Sequence, residues 1–450
     1  MLSEADNELL CRTGPGTPMG DVFRRFWLPV IGSGEIRQKD GPPKRLRVLG
    51  EDLIAFRNSA GEPGVISAYC PHKLAPLFFG RNEEGGMRCA YHGWKFDKLG
   101  TCVEIPNLPG NFETKALQAR AKIAGYPARE AGGMVWIYMG PQDVMPELPQ
   151  LEWLTVPDDH AYSARWLQRT NWAQGMEGEI DSSHISWLHR DLAPRGFEPP
   201  VHQTAPLMQG IVDGAPVMKL QETDYGFVYG ARRKTNTGDH YWRVTQWMAP
   251  MFSMIPHNGF PRTGRAWVPV DDYHTNVVTY AYRADVPFTR EQLDYIREGH
   301  SFPPPLRESR YSLPDGYVVD TFESVAVKEN DYLLDRQRQR TANFSGISAT
   351  TDQDRALQEN TPSGFGLGPG KIADRSRELL VASDLPVITA RRILLQMARN
   401  MREGRAPDLP HHPGRFAVRS AAAVGKQDDF VEFLREHAHE MRAGDARSEV

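Results

Sequence analysis

The sequence predicts an α+β protein, with an all-β unit in front and a larger unit behind it that mixes a sheet with helices. Two observations carry this. From about residue 27 to 140, short β-like runs ("FWLPVIGSGEI", "RLRVLGEDLIAFRN", "PGVISAYC", "GGMRCAYHGWKFD", "GMVWIYMG") are separated by Gly and Pro at strand spacing. Beyond 160, "GFVYGARRK", "HYWRVTQWMAPMFSMIP", "GRAWVPVDD" and "HTNVVTYAYRADV" read as consecutive antiparallel strands, bracketed by stretches of helical periodicity. A chain of 450 residues has room for two or three domains.

In order, residues 2–10 form a short helix with Ser3 as N-cap, broken by "RTGPGTPMG", so 1–26 is a helical N-terminal segment. Residues 27–145 are the β domain. The stretch 140–159, rich in Pro and acids, reads as a linker. The second domain, 146–450, opens with "NWAQGMEGEIDSSHISWLHRDL" (171–192), which has helical spacing of its apolar residues. "TREQLDYIREGH" is a helix, and "SFPPPLRESRYSLPDG" is predicted irregular because of its prolines. "DRSRELLVASDLPVITARRILLQMARNMREG" supplies one or two long helices and "DDFVEFLREHAHEMRAG" a last one. The glycine-rich "SGFGLGPGKIADRS" fails the phosphate-loop pattern, since Phe365 stands where its first Gly belongs and Ile372 follows Lys371.

A net charge of −4 with no run of like charges gives no footprint for a nucleic-acid partner. The N-terminus lacks a secretory leader and no apolar stretch is long enough to span a bilayer, so the expected location is the cytoplasm, off the membrane. In a reducing compartment closely spaced Cys and His read as metal ligands rather than disulfides. Cys11 and Cys102 read as buried structural thiols.

The stretch "CPHKLAPLFFGRNEEGGMRCAYH" holds Cys70-x-His72 and Cys89-x-x-His92, with sixteen residues between His72 and Cys89. Zinc frameworks group like ligands. Here each half offers one thiolate and one imidazole, the division a Rieske [2Fe–2S] centre needs, with a potential of roughly −150 to +300 mV. Such a centre relays single electrons, which implies something to reduce. Asp181-x-x-His184-x-x-x-x-His189 supplies two histidines of a 2-His-1-carboxylate iron site. On an ideal helix the two histidines would stand about 140° apart, so the helix must be irregular there, for example through a π-bulge. Asp181 lies one turn before His184 and can accept from its ring or reach a cluster histidine such as His92. Glu177 and Glu179 compete for such roles, and Glu177 is a candidate for lining the pocket. For the third ligand, "TTDQDRALQEN" offers Asp352, Asp354 and Glu359.

Together these motifs resemble the oxygenase component of Rieske non-haem iron ring-hydroxylating oxygenases, in particular the phthalate dioxygenase-like group. The likeness runs from "ELLCRTGPGTPMGDVFRRFWLPV" through "CPH…GGMRCAYHGWKFDKLGTCVEIPN" and "NWAQGMEGEIDSSHISWLH" to "ADRSRELLVASDLPVITARRILL". It implies an N-terminal all-β Rieske domain and a helix-grip catalytic domain with a curved antiparallel sheet. It implies a [2Fe–2S] cluster on Cys70, His72, Cys89 and His92, and a mononuclear Fe(II) on His184, His189 and a carboxylate. The family pattern Q-D-x-x-x-Q-E matches Gln353 to Glu359 and selects Asp354, with Asp352 second. Asp181 becomes the bridge between metal centres of neighbouring subunits in a homo-oligomer, a trimer or hexamer. A flavin- and ferredoxin-type NADH-dependent reductase supplies electrons.

The implied reaction is oxidation of a small aromatic substrate by O2, foremost dihydroxylation of a phthalate-like carboxylate. Monooxygenation or O-demethylation of a methoxylated acid is the alternative, and a Rieske electron carrier without oxygenase activity is a third reading. A carboxylate needs a cationic anchor. The candidates are Arg243, Arg232, Arg233 and Lys219, with Arg232 and Arg233 on opposite faces of one strand. Two departures stand out: His72-Lys73-Leu74 where the family commonly has His-Arg-Gly, and the glycine-rich insertion at 363–370.

Overall fold

The computed structural model describes residues 1–192, 214–256, 261–299, 302–363 and 372–444; apart from Ser363, the glycine-rich insertion lies outside them. The front of the chain folds into two four-stranded antiparallel sheets. One is Lys44–Val48, Glu51–Arg57, Pro63–Ser67 and Gly125–Tyr126; the other is Arg81–Glu83, Gly86–Arg88, Lys95–Phe96 and Cys102–Glu104. Ile54, Phe56, Ile66, Leu77 and Phe96 fill a small core between them, and Cys70, Cys89 and Cys102 are buried in it. All four cysteines are free thiols. One helix, Phe112–Arg120 with Asn111 as its cap, interrupts this otherwise β unit and was not foreseen.

A third sheet, Trp27–Gly32, Met134–Tyr138 and Ala128–Ala131, turns Leu28, Trp136 and Ile137 into the large core that also holds Trp166, Val268 and Val277 of the second domain. The two units thus share apolar packing. The expected linker is part of it: Leu151 and Trp153 are buried, and Glu152 accepts from Arg419 and from the Tyr282 hydroxyl at 2.9 Å.

The second domain is built on an eight-stranded antiparallel sheet. Its order is Ala161–Gln168, Thr275–Tyr282, Arg262–Pro269, Phe252–Ile255, His240–Met248, Gly226–Lys234 and Val217–Glu222, with Ala421–Gly425 paired to the first half of His240–Met248. Strand alternation gives it two unlike faces. Val228, Trp242 and Val244 pack under the C-terminal helix Phe430–Glu436, while Phe227, Tyr229, Ala231 and Trp247 face the main core. On that inner face lies the helix Trp172–Ile180. Two glycines let it approach: a Cβ on Gly175 would sit 2.2 Å from the Trp267 ring, and one on Gly178 would sit 2.1 Å from Gln358 Nε2.

"SFPPPLRESRYSLPDG", expected to be irregular, contains the strand Leu306–Ser312, which pairs with Val318–Ser324. Its prolines stop at 305 and resume in the turn at 314, so every N–H of the ladder survives. The hairpin joins the two domains through Arg45 on Asp320 at 2.9 Å and the Tyr317 hydroxyl on Leu53 O at 2.9 Å. The stretch predicted to hold one or two long helices forms one, Leu385–Arg402, packed against the N-terminal helices Glu4–Cys11 and Pro18–Phe23, and the predicted last helix forms over Phe430–Glu436.

Candidate functional site

The two cysteine loops hang from the ends of Pro63–Ser67 and Gly86–Arg88. Each is closed by a backbone hydrogen bond at its cysteine: Cys70 N–H to Ala75 O at 2.9 Å and Cys89 N–H to Trp94 O at 2.8 Å. This brings all four predicted donors together. The thiols of Cys70 and Cys89 neighbour each other, and burial pushes the Cys70 thiol up, to about 12. The rings of His72 and His92 lie 4.4 Å apart, and His72 stacks on Trp94 at 4.8 Å. His72 Nδ1 is buried yet has no hydrogen-bond partner among the described residues. Two adjacent buried thiols, two adjacent imidazoles and an orphaned ring nitrogen fit the donor set of a [2Fe–2S] cluster. Leu74, at the family's usual glycine, keeps the left-handed conformation (φ +54) that favours glycine and is 72% exposed.

The second constellation forms where the helix Trp172–Ile180 stops. No π-bulge occurs. The chain leaves the helix at Asp181 (φ −85, ψ 103) and makes a separate 3₁₀ turn, His184–Ser186. That break, rather than an irregular helix, lets the two rings meet. His184 Nε2 and His189 Nε2 are 3.1 Å apart, and Asp354 Oδ1 lies 3.5 Å from the first and 3.2 Å from the second. These three side chains form the one candidate metal group of this kind among the described residues. Burial would raise the Asp354 carboxyl, but the two histidines and Arg265 hold it below the usual range. Asp352 is not with them. Two residues earlier on the helix Thr350–Gln358 it points about 200° away and pairs with Arg355 at 2.7 Å.

Three acids at alternate positions on one segment go three ways. Asp181 Oδ2 lies 3.4 Å from His184 Nδ1 and Oδ1 accepts from Ser183 N–H at 2.7 Å; against the upward push of burial, these contacts lower its carboxyl. Glu179 pairs with Arg265, which also donates to Thr351 at 3.1 Å and so links this helix to the one bearing Asp354. Glu177, expected to line the pocket, is instead buried on the far side of the helix between Arg375 at 3.0 Å and Arg391 at 2.9 Å. Sequence reading missed this because both arginines lie far along the chain. Cys11 joins the same knot, its Sγ 3.2 Å from Arg375.

The four predicted cationic anchors separate by strand alternation. Lys219 is exposed, opposite Gly230 on the outer face. Arg232 also turns outward, to Asp428 and the Trp242 ring. Trp242 itself stacks on Phe430 at 5.3 Å on that outer face. Arg233 turns inward but braces the Asp181–His184 segment, donating to the Ser182 carbonyl and, at 3.3 Å, to the Ser186 hydroxyl. Arg243 alone is inward and uncommitted: its Nη1 is buried with no hydrogen-bond partner among the described residues. Tyr229 and Thr245, paired across the same two strands, set their buried hydroxyls beside each other on that face. Arg243 lies close enough to His184 and Glu179 to act on both electrostatically.

A β domain presenting two thiols and two imidazoles, joined to a sheet-and-helix domain gathering two imidazoles and a carboxylate, defines an iron–sulfur domain coupled to a non-haem iron oxygenase domain. Residues 26–124 match the Rieske [2Fe-2S] domain and residues 137–430 the LigXa C-terminal domain like family. The chain belongs to the oxygenase subunits of the Rieske non-haem iron oxygenases, oxidoreductases that carry a Rieske cluster and a mononuclear iron. It is 36% identical to the 3-chlorobenzoate-3,4-dioxygenase oxygenase subunit of Comamonas testosteroni, over 88% of both chains. It is likewise 36% identical to the phthalate 4,5-dioxygenase oxygenase subunit of Pseudomonas putida, over 88% of this chain and 86% of that one. Among solved structures, dicamba monooxygenase bound to dicamba shares the fold, with a TM-score of 0.55 at 15% identity, covering 84% of this chain and 98% of that one.

Proposed function

We propose that Cys70, His72, Cys89 and His92 hold the cluster, that His184, His189 and Asp354 hold the iron, and that the protein oxidises an aromatic carboxylate, foremost by ring dihydroxylation. The observation that carries this is the convergence of three donor atoms on the inner face of a sheet where Arg243 Nη1 is buried with no hydrogen-bond partner among the described residues. A bound cluster supplies single electrons, and a ferrous iron with open positions supplies the activation of dioxygen. Around them the chain's own residues position and exclude. Asp181 fixes the His184 ring and, half-exposed, stands as the link toward a neighbouring subunit's cluster. Arg243 receives the carboxylate, with Tyr229 and Thr245 beside it as further hydrogen-bonding groups. The large core shuts water out from behind.

A homotrimer, or a hexamer made of two, is supported by two exposed apolar surfaces. Leu74, Phe79 and Tyr91 surround the cysteine loops, and Trp187, Leu192 and Phe344 lie near the iron histidines. Unlike patches on one chain can pair head-to-tail, and such a contact makes a ring when its rotation closes. No helix among the described residues is long and apolar enough to cross a membrane, which is compatible with a cytoplasmic enzyme served by an NADH-dependent reductase.

The test is a single turnover under ¹⁸O2 with protein reduced anaerobically, offered phthalate, 3-chlorobenzoate and methoxylated benzoates. A ring product bearing two labelled atoms is expected. A singly labelled alcohol, or demethylation with formaldehyde, assigns monooxygenation instead. No product from protein with both metal sites filled overturns the aromatic-carboxylate reading.

A further inference from the structure

Resting on the reading of His184, His189 and Asp354 as iron ligands, we infer that Gln353 is a positioning residue that fixes the ring and tautomer of His189. Gln353 is 4% exposed and precedes Asp354 on the helix Thr350–Gln358. Its Oε1 lies 2.7 Å from His189 Nδ1. Its Nε2 donates to Ile347 O at 2.8 Å. The second contact settles the orientation of the amide, because only its nitrogen can donate to a carbonyl. The oxygen therefore faces His189 and can only accept, so the proton sits on Nδ1 and the lone pair on Nε2. Nε2 is the atom turned toward His184 and Asp354.

The anchor is itself held. Ile347 O also accepts from Asn343 Nδ2 at 2.8 Å, which occupies both its lone pairs. Backbone bonds from Leu192 N–H to Ala342 O at 2.9 Å and from Phe344 N–H to Arg190 O at 2.8 Å fasten that loop to the residues that follow His189. The circuit thus closes: His189, its downstream chain, the 342–347 loop, Gln353, and His189 again. One helix delivers both a carboxylate donor and, at the adjacent position, the group that aims an imidazole at the same point.

The two histidines are supported by unlike partners. His184 has the carboxylate of Asp181, and His189 a neutral amide. A second carboxylate at His189 would add a negative charge to a site already holding Asp354 and Asp181. The amide gives direction without that charge. Groups in this position typically change metal affinity on the order of 10–100-fold.

The experiment compares wild type, Gln353→Leu and Gln353→Glu as full-length proteins. It measures the ferrous dissociation constant by anaerobic chelator competition, the EPR signal of the ferrous–nitric oxide adduct, and the cluster absorbance. Q353L should bind iron on the order of 10–100-fold more weakly, with an altered adduct signal and unchanged cluster absorbance. Q353E keeps an acceptor for His189 Nδ1 but loses the donor to Ile347 O and adds a charge, so its iron affinity should fall between those of Q353L and wild type. Wild-type affinity and signal in Q353L would overturn the inference. If Q353L misfolds, seen by circular dichroism, Gln353→Met, which removes both amide contacts at similar volume, decides, and a folded Q353M with wild-type iron affinity and adduct signal overturns it. A wild type that takes up no ferrous iron would instead overturn the ligand assignment beneath it.

Discussion

The cysteine loops draw all four donors from one stretch, Cys70 to His92, each closed by its own backbone turn inside a small core. The histidine–aspartate site draws on a segment where a helix breaks and on a second helix, and 164 residues separate His189 from the Gln353 that steadies it. The first site is local. The second exists only once the sheet, the helix Trp172–Ile180 and the helix Thr350–Gln358 have packed. Loop closure within a short span is entropically cheap, whereas the distant site needs the large core to hold its pieces in register.

The sharpest way to break this contrast is to remove one donor from each site. Cys89→Ser should abolish the red-brown cluster absorbance while the protein still takes up one ferrous iron per chain. Asp354→Asn should do the reverse, keeping the cluster spectrum and losing ferrous iron to background. Metal analysis beside the visible spectrum reads both. Loss of both metals in either variant would mean the sites are not separable, and the contrast would fail.

A second test strikes the packing behind the iron site without touching a donor. Burial would raise the Glu177 carboxyl, but Arg375 and Arg391 outweigh it and hold it at about 2, against an ordinary 4.5. Glu177→Gln leaves two buried guanidiniums short of their counter-charge and should cost roughly 3–5 kcal/mol. A carboxyl depressed by folding contributes stability that is fully present above its unfolded value and is lost as pH falls through the folded one. Wild type should therefore lose this contribution between about pH 4.5 and pH 2, and E177Q should show a flatter profile there. Thermal melts followed by circular dichroism across that range check it. Iron should be released before the cluster bleaches, since the knot braces the helix leading to His184.

These same residues explain what the sequence could reveal. The Cys/His pairs stand out in the sequence because their spacing is the chemistry, and the fold sets thiol beside thiol and ring beside ring. His184, His189 and Asp181 were legible as a motif, but the helix drawn through them was not there. Apolar periodicity runs on through 171–192, while the break at Asp181 is held by its own Oδ1 on Ser183 N–H and by Arg233, from a distant strand, on the Ser182 carbonyl. Asp354 and Asp352 are alike in composition and context: only the family pattern prefers one in the sequence, and in the structure the helix face separates them. Glu177 was misplaced because its partners are arginines of the C-terminal third. Leu306–Ser312 was misread because proline was counted over a window, when its position within the window decides whether a ladder survives. What stayed hidden was partnership across the core, which no local pattern encodes.

The smaller effects sharpen the contrast within one sheet. Arg243 and Arg232 sit on neighbouring strands at positions of opposite face. Arg243→Met removes an inward guanidinium whose Nη1 has no hydrogen-bond partner among the described residues. A hydrogen bond to a charged group is worth about 1.5–3 kcal/mol, so kcat/KM for an aromatic carboxylate should fall by roughly 10–150-fold. The loss should lie chiefly in KM, because the anchor grips substrate and transition state alike. Arg243→Lys should recover part of it. Arg232→Met removes a charge that pairs with Asp428 at the surface and should change stability by no more than about 0.5 kcal/mol and leave KM alone. Steady-state kinetics with one carboxylate and its uncharged amide give the decisive readout. For the amide the two variants should converge, since the residue that distinguishes them acts on the charge. Equal penalties on acid and amide would make Arg243 a packing residue and move the anchor elsewhere on the inner face.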